Sequence, residues 1–289
     1  MRRASLVSVL FLLTVPLWSQ EVADANAPGP RIVDETGHVI QLYLEKDHPA
    51  HKASPRARTQ NLINHGGPIM VNPDVVSIFW GAKWGGDPTH QQVMANVLSY
   101  FANFGSTGEW NTIKQYGVTS PASLTNQNFL DTSEPPNPGV TDAQIQGEVS
   151  KYIDGGGKFD DHTVYEVFLP SNHYAVIGSA TSCGGPHLQF CAYHSNYTHN
   201  GLDIKYSSMP YPSCSGCQTS GWSDALNFNH FACHETREAA TDPDGTAWYD
   251  RSGNEADDKC AWNPTPFTDA GFGYQYEWSN ADGKCVKTK

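Results

Sequence analysis

Ala192-Tyr-His-Ser-Asn-Tyr-Thr198, then His199-Asn200-Gly201, then Leu202-Asp-Ile-Lys-Tyr-Ser207: two strand-forming runs meet at an Asn-Gly pair. Such a pair tolerates the positive φ values of a two-residue reverse turn, so the segment predicts an antiparallel hairpin. Upstream of it, strand and helix patterns alternate. Val75 to Trp80 (VVSIFW) is a buried-strand pattern stopped by Gly81. In Gln91 to Phe104 the apolar residues Val93, Val97, Leu98, Phe101 and Phe104 recur at helical spacing, and Gly105 ends the run. A loop-rich stretch follows, to about residue 140. Thr141 to Ile153 predicts a second helix, with Asp142 near its start and Gly155-Gly156-Gly157 after it, and Thr163 to Leu169 (TVYEVFL) a second strand. Ser223 to Thr241 predicts a third helix, closed by Asp242-Pro243 because proline disfavours helix in the residue before it. A hairpin interrupting such alternation points to α+β, or α/β: a mixed β-sheet packed by a few helices.

Around this body the sequence divides into three. Arg2 and Arg3 followed by the short apolar run Leu6 to Trp18 have the form of a secretory signal peptide over residues 1–20, too short to span a bilayer. The alternative is an anchor that stays attached. Residues 21–64 mix Pro, Ala, Asp and Lys without a period and suggest a flexible linker or pro-segment. Residues 65–289 are expected to form a single globular α+β domain.

Export would place seven cysteines, all in the C-terminal half, in an oxidising compartment. Local spacing suggests Cys183–Cys191, Cys214–Cys217 and Cys260–Cys285, with Cys233 free. A zinc knuckle at Cys214-Ser-Gly-Cys217 competes, but no second close Cys or His pair follows it. The chain carries 30 acids against 18 bases, a formal charge of −12. Nucleic acid and anionic membrane surfaces are therefore poor partners, since both are bound through basic faces.

The segment richest in chemistry is Asn229-His-Phe-Ala-Cys-His-Glu-Thr-Arg-Glu-Ala-Ala-Thr-Asp-Pro-Asp244. On a helix, His230, His234 and Glu238 fall in one sector, and Ala225, Phe228, Ala232 and Ala239 form a separate stripe suited to a core. Side chains four residues apart reach one ion, as in metallopeptidase helices of the form H-E-x-x-H, where the intervening Glu activates a zinc-bound water. Here Glu238 stands where the second His would be. His234 and Glu238 are the expected ligands and Glu235 the expected general base. A further ligand is sought among His230, Asp242, Asp250, Glu255 and Asp258. The acidic tract 242–258 also suits calcium, which prefers six to eight oxygens, although it lacks the EF-hand spacing. The bland alternative is a solvated polar face on an amphipathic helix.

Other candidates are weaker. Cys191 and His194 form a Cys/His pair better explained by a disulfide. His65-Gly66-Gly67-Pro68 suggests a tight loop near a site. Asn196-Tyr-Thr198 matches a glycosylation acceptor. No G-x-S-x-G elbow occurs.

The order of several short motifs resembles the EXORDIUM, or phosphate-induced, family. They are His65-Gly-Gly-Pro-Ile-Met, Val75 to Gly81, Gln91-Gln92, Phe190-Cys191-Ala-Tyr-His194, Ile204-Lys-Tyr206, Cys214-Ser-Gly-Cys217, and Glu238-x-x-Thr-Asp-Pro243 with Ala247-Trp-Tyr249. The similarity spans residues 62–262. The chain is most similar to bacterial-type members with H-E-x-x-E-x-x-T-D-P before A-W-Y-D and D-x-C, whereas plant members lack the His-Glu pair. The resemblance implies a secreted, wall-associated protein and supplies no reaction. Taken together, the sequence predicts a secreted, extracellular or periplasmic, metal-dependent hydrolase, peptidase-like, with zinc or calcium and an extracellular protein or polysaccharide as substrate. The alternative is a non-catalytic extracellular protein that binds calcium or polysaccharide.

Overall fold

Seven strands build the central sheet: β1 (Arg31–Val33), β2 (Val39–Leu44), β3 (Asp74–Trp80), β4 (Thr125–Asp131), β5 (Thr163–Phe168), β6 (Phe190–His199) and β7 (Leu202–Met209), in spatial order β1-β2-β6-β7-β5-β3-β4. The computed structural model describes residues 30–52 and 60–289. The expected signal peptide at residues 1–20 lies outside them. Strands β1, β2, β6 and β7 pair antiparallel, and β7, β5, β3 and β4 run parallel, so the sheet is mixed. The hairpin forms as its Asn-Gly pair dictates. His199 faces Leu202, and Asn200 and Gly201 both take positive φ, 48° and 84°.

Three long helices flank the sheet: α1 (Pro88–Phe104), α2 (Asp142–Asp154) and α3 (Asp224–Thr241). Each begins on a capping residue. Asp87 accepts from the backbone of Thr89 and His90, Thr141 and Gln144 form a capping box, and the Ser223 hydroxyl accepts from Leu226. Alternation along β3 divides two cores. Val75 and Phe79 pack with Val97, Phe101, Phe228 and Phe231 from α1 and α3, whereas Val76, Ile78 and Trp80 pack with Ile145 and Val149 from α2. The fold is α+β, with helices on both faces of a mixed sheet.

Two expectations are overturned. The stretch 21–64 is not simply a linker, because β1 and β2 lie within it and extend the sheet. Ile40, Leu42 and Leu44 are buried on the α2 side, and Gln41 and Tyr43 point toward α3. A six-residue strand buried on both faces has too short a pattern to stand out between polar neighbours. The folded body thus begins upstream of His65. In the loop-rich stretch, β4 and a 3-10 helix, Trp110–Tyr116, also form.

The C-terminal half is stapled by Cys183–Cys214, Cys191–Cys217 and Cys260–Cys285, with Cys233 free and buried. The expected Cys183–Cys191 and Cys214–Cys217 pairs are replaced by two longer bridges. Segment 214–217 crosses back over Cys183 and the start of β6, bringing Cα atoms to 5.5 and 5.4 Å, and that proximity, not sequence spacing, decides a bridge. These sulfurs are committed to disulfides, so the zinc knuckle is excluded. The Asn196 amide is buried and donates to Asp203 (2.7 Å), which removes it as a glycan acceptor in the folded chain.

A titrating pair sits at the far face. Burial first, then the neighbouring Asp131 carboxylate, pushes Glu148 up to about 8, while Lys151 sits 3.7 Å away. A raised carboxyl contributes stability that is present below its unfolded value and lost as pH rises. Between about pH 4.5 and 8 the wild type should lose ~1–2 kcal/mol relative to Glu148→Gln. Urea denaturation across that range checks this; parallel curves for the two proteins would refute it.

Candidate metal centre

Helix α3 is buried on every side: each residue from Asn227 to Thr241 is enclosed, and His230, His234, Glu235 and Glu238 have no exposed surface. The solvated-face alternative therefore fails. One flank of the helix meets the sheet, where Thr236 donates to Glu166 of β5 (2.7 Å) and His194 of β6 lies 2.9 Å from Glu235. The loop after α3 folds back over the opposite flank. That reversal starts at Asp242, whose carboxylate accepts the Ala247 N–H (2.5 Å).

His234, Glu238 and Asp258 converge. His234 Nε2 is 3.0 Å from Glu238 Oε2 and 3.6 Å from Asp258 Oδ1, and the three donor atoms lie within 4.8 Å of one another. Each is oriented by a second contact. Glu238 Oε1 accepts the backbone N–H groups of Asp257 (3.1 Å) and Asp258 (2.9 Å), so Oε2 is turned inward. Asp258 Oδ2 accepts from Gln41 (2.6 Å) and from the Glu255 backbone (3.1 Å), leaving Oδ1 to face the histidine. His234 Nδ1 sits 3.3 Å from Gln275 Oε1. The Gln275 amide nitrogen donates to Asp257 O and Oδ1 (3.0 and 2.8 Å), which fixes Oε1 as an acceptor. Nδ1 of His234 must then carry the proton, and Nε2 presents a lone pair. Tyr43 stacks on the same ring at 4.0 Å.

Asp257 is anchored in turn. The Arg237 guanidinium donates through Nε to its Oδ2 (3.1 Å) and through Nη2 to its Oδ1, and pairs with Glu277 at 3.2 Å. All of these groups are buried. This ion-paired lattice fixes the loop whose amides hold Glu238.

Beside the triad stands a second group. Glu235 Oε2 lies 2.9 Å from His194 Nδ1, and His194 Nε2 lies 3.8 Å from Glu255 Oε1. Glu235 Oε1, Glu238 Oε2, both Glu255 oxygens and His234 Nε2 make no hydrogen bond among the described residues. Burial, and then the crowding of like charges, pushes the Glu235, Glu238, Glu255 and Asp258 carboxyls up. Burial also holds His234 below its ordinary value and His194 down at about 3, the latter helped by His234. The enclosure thus penalises every charge in it. A cation offsets that penalty by supplying the missing counter-charge.

The remaining expected ligands do not join the triad. His230 Nε2 turns to Tyr43 (2.7 Å) and Gln275 (3.1 Å). Asp250 is spent on the Ser252 and Asn254 amides and on Lys259 (3.0 Å). Asp242 closes its own turn, and Glu255 approaches His194 instead. His194 was visible in the sequence only as a neighbour of Cys191. The available signal was a polar residue alternating with Tyr193 and Tyr197 in a strand otherwise buried on both faces. Arg237, Asp257 and Gln275 carried no signal, since their contacts join segments far apart in the chain. His65 stacks on Tyr249 (3.7 Å), and both line a surface cleft of about 460 Å³ with Arg31 and Arg251.

No protein-family model, curated protein or solved structure matches this chain. Its three disulfides suit an oxidising, extracellular compartment. No helix among the described residues is long and apolar enough to cross a membrane. The buried donor groups make it a candidate metal-binding protein of such a compartment.

Proposed function

We propose that this chain is a secreted, zinc-dependent hydrolase, peptidase-like, in which His234, Glu238 and Asp258 hold the ion and Glu235 is the general base. One observation carries the reading: donor separations of 3.0 and 3.6 Å around His234 Nε2. Bonds of 2.0–2.1 Å in a tetrahedron put ligand atoms about 3.3 Å apart. An imidazole nitrogen among so few donors favours zinc over calcium. The acids of the 242–258 tract support calcium poorly, because Asp250 is spent on Lys259 and Asp257 on Arg237.

Bound zinc would supply a Lewis acid. The rest is the work of the chain. His194 engages Oε2 of Glu235 and leaves Oε1 free to take a proton from the attacking water. The same carboxyl would then return that proton to the departing nitrogen. Substrate entry requires the loop over α3 to open. The EXORDIUM resemblance fits this reading and supports a protein or wall polysaccharide outside the cell as substrate.

The full enclosure of the triad favours a second reading. Closed sites are typical of structural ions, whereas catalytic ones keep an open position, and the protein would then be a non-catalytic extracellular binder. Metal analysis and a casein or gelatin assay separate the two. The hydrolase reading expects about one tightly held zinc per chain, lost in Glu238→Ala, and cleavage that a chelator abolishes. Zinc without cleavage, where the chelator lowers only the melting temperature, supports the second reading. Calcium alone overturns the zinc assignment.

A further inference from the structure

The triad engages two of the four crowded carboxylates, Glu238 and Asp258. Glu235 and Glu255 are left over, both fully enclosed. His194, Glu235 and Glu238 form another set of three donors within 4.8 Å of one another, and Glu238 belongs to both sets. In this second set His194 Nδ1 lies 2.9 Å from Glu235 Oε2 and 4.0 Å from Glu238 Oε2. A separate observation points the same way. Glu235 Oε1 and both oxygens of Glu255 are buried without a hydrogen bond among the described residues, and Glu255 Oε1 faces the other nitrogen of His194 at 3.8 Å. Orphaned buried carboxylate oxygens are costly unless a cation or donor meets them. One divalent ion balances two of the four acids, and two ions balance all four.

We propose that His194, Glu235 and Glu238 form a second divalent-cation site, joined to the first through the shared Glu238 carboxylate, and that filling it shuts off hydrolysis by engaging Glu235. The regulatory half rests on the hydrolase reading; the binding half does not. The site mixes one imidazole with carboxylates, so zinc in excess is a fitting occupant. Two like-charged ions sharing one carboxylate repel each other, so the second binds more weakly than the first. An ion held at Oε2 draws charge from the Glu235 carboxylate, so its free oxygen, Oε1, is too weak a base to take the proton of the attacking water. Zinc thus acts at two concentrations, supporting hydrolysis at the lower and blocking it at the higher.

Equilibrium dialysis of the metal-stripped full chain against zinc, read by elemental analysis, tests the binding half. The wild type is expected to take up two equivalents, the first at least tenfold tighter. His194→Ala should keep the tight equivalent and lose the weak one. If that variant does not fold, Glu235→Gln serves the same purpose, since it removes a charge from the second set and leaves the first intact. Saturation of the wild type at one equivalent, or two equivalents in both variants, overturns the site. Cleavage of casein by the wild type should fall at least tenfold as zinc rises into the weak-binding range. Cleavage unaffected by the second equivalent overturns the regulatory half. Two equivalents with no cleavage at any zinc level supports the second site and overturns the hydrolase reading, so the two failures are distinct.

Discussion

Glu235→Gln should reduce kcat on any cleaved peptide by about 10²- to 10⁴-fold, the usual contribution of a positioned general base. KM should change little, because the side chain would act on the attacking water and not on substrate binding. Gln has the shape of Glu and still offers an oxygen to His194, which lies 2.9 Å from the present carboxylate. It also removes one of four mutually repelling buried acids, so the melting temperature should hold or rise. The tight zinc should remain, since His234, Glu238 and Asp258 are untouched. Steady-state kinetics, a thermal melt and metal analysis on the same preparation check all four points. Activity within tenfold of wild type would remove Glu235 from the mechanism.

Arg237→Ala should cost about 3–5 kcal/mol of stability, because it leaves buried carboxylates unpaired. Arg237 has no exposed surface, and it pairs with Asp257 and Glu277, both fully enclosed. It also donates to Glu109 O (3.1 Å), tying α3 to the segment before the 3-10 helix. The loss should extend to the candidate metal centre, as Asp257 and Asp258 supply the amides that hold Glu238. Urea denaturation measures the first effect and zinc affinity the second. Arg237→Met combined with Asp257→Asn and Glu277→Gln should recover much of the stability, since an uncharged set needs no ion pair. A single variant as stable as wild type would show that the lattice contributes little.

The proposed general base and two of the proposed ligands could be read from the chain because they share one helix. His234, Glu235 and Glu238 stand in fixed angular relation once the segment is helical, and the helix itself follows from its cap at Ser223 and its stop at Pro243. Asp258 was one of several acids that could complete the set. Which of them did so depended on how loop 242–258 folds back, and Arg237 and Gln275 govern that return from distant positions. The burial of α3 was also hidden. Its composition is polar enough for a solvated face, and only the sheet on one side and the returning loop on the other enclose it.

The sequence by itself determined the local architecture: the long helices, the strong strands, the Asn-Gly hairpin and, through their alternation, the α+β class. Each depends on residues near one another in the chain, where period, caps and turn chemistry act. The tertiary structure alone decided that β1 and β2 join the sheet, that Cys183 and Cys191 pair with Cys214 and Cys217, and that His194 and Asp258 meet the helix. Those outcomes depend on which distant surfaces pack together, and close approach in space leaves no mark in sequence spacing.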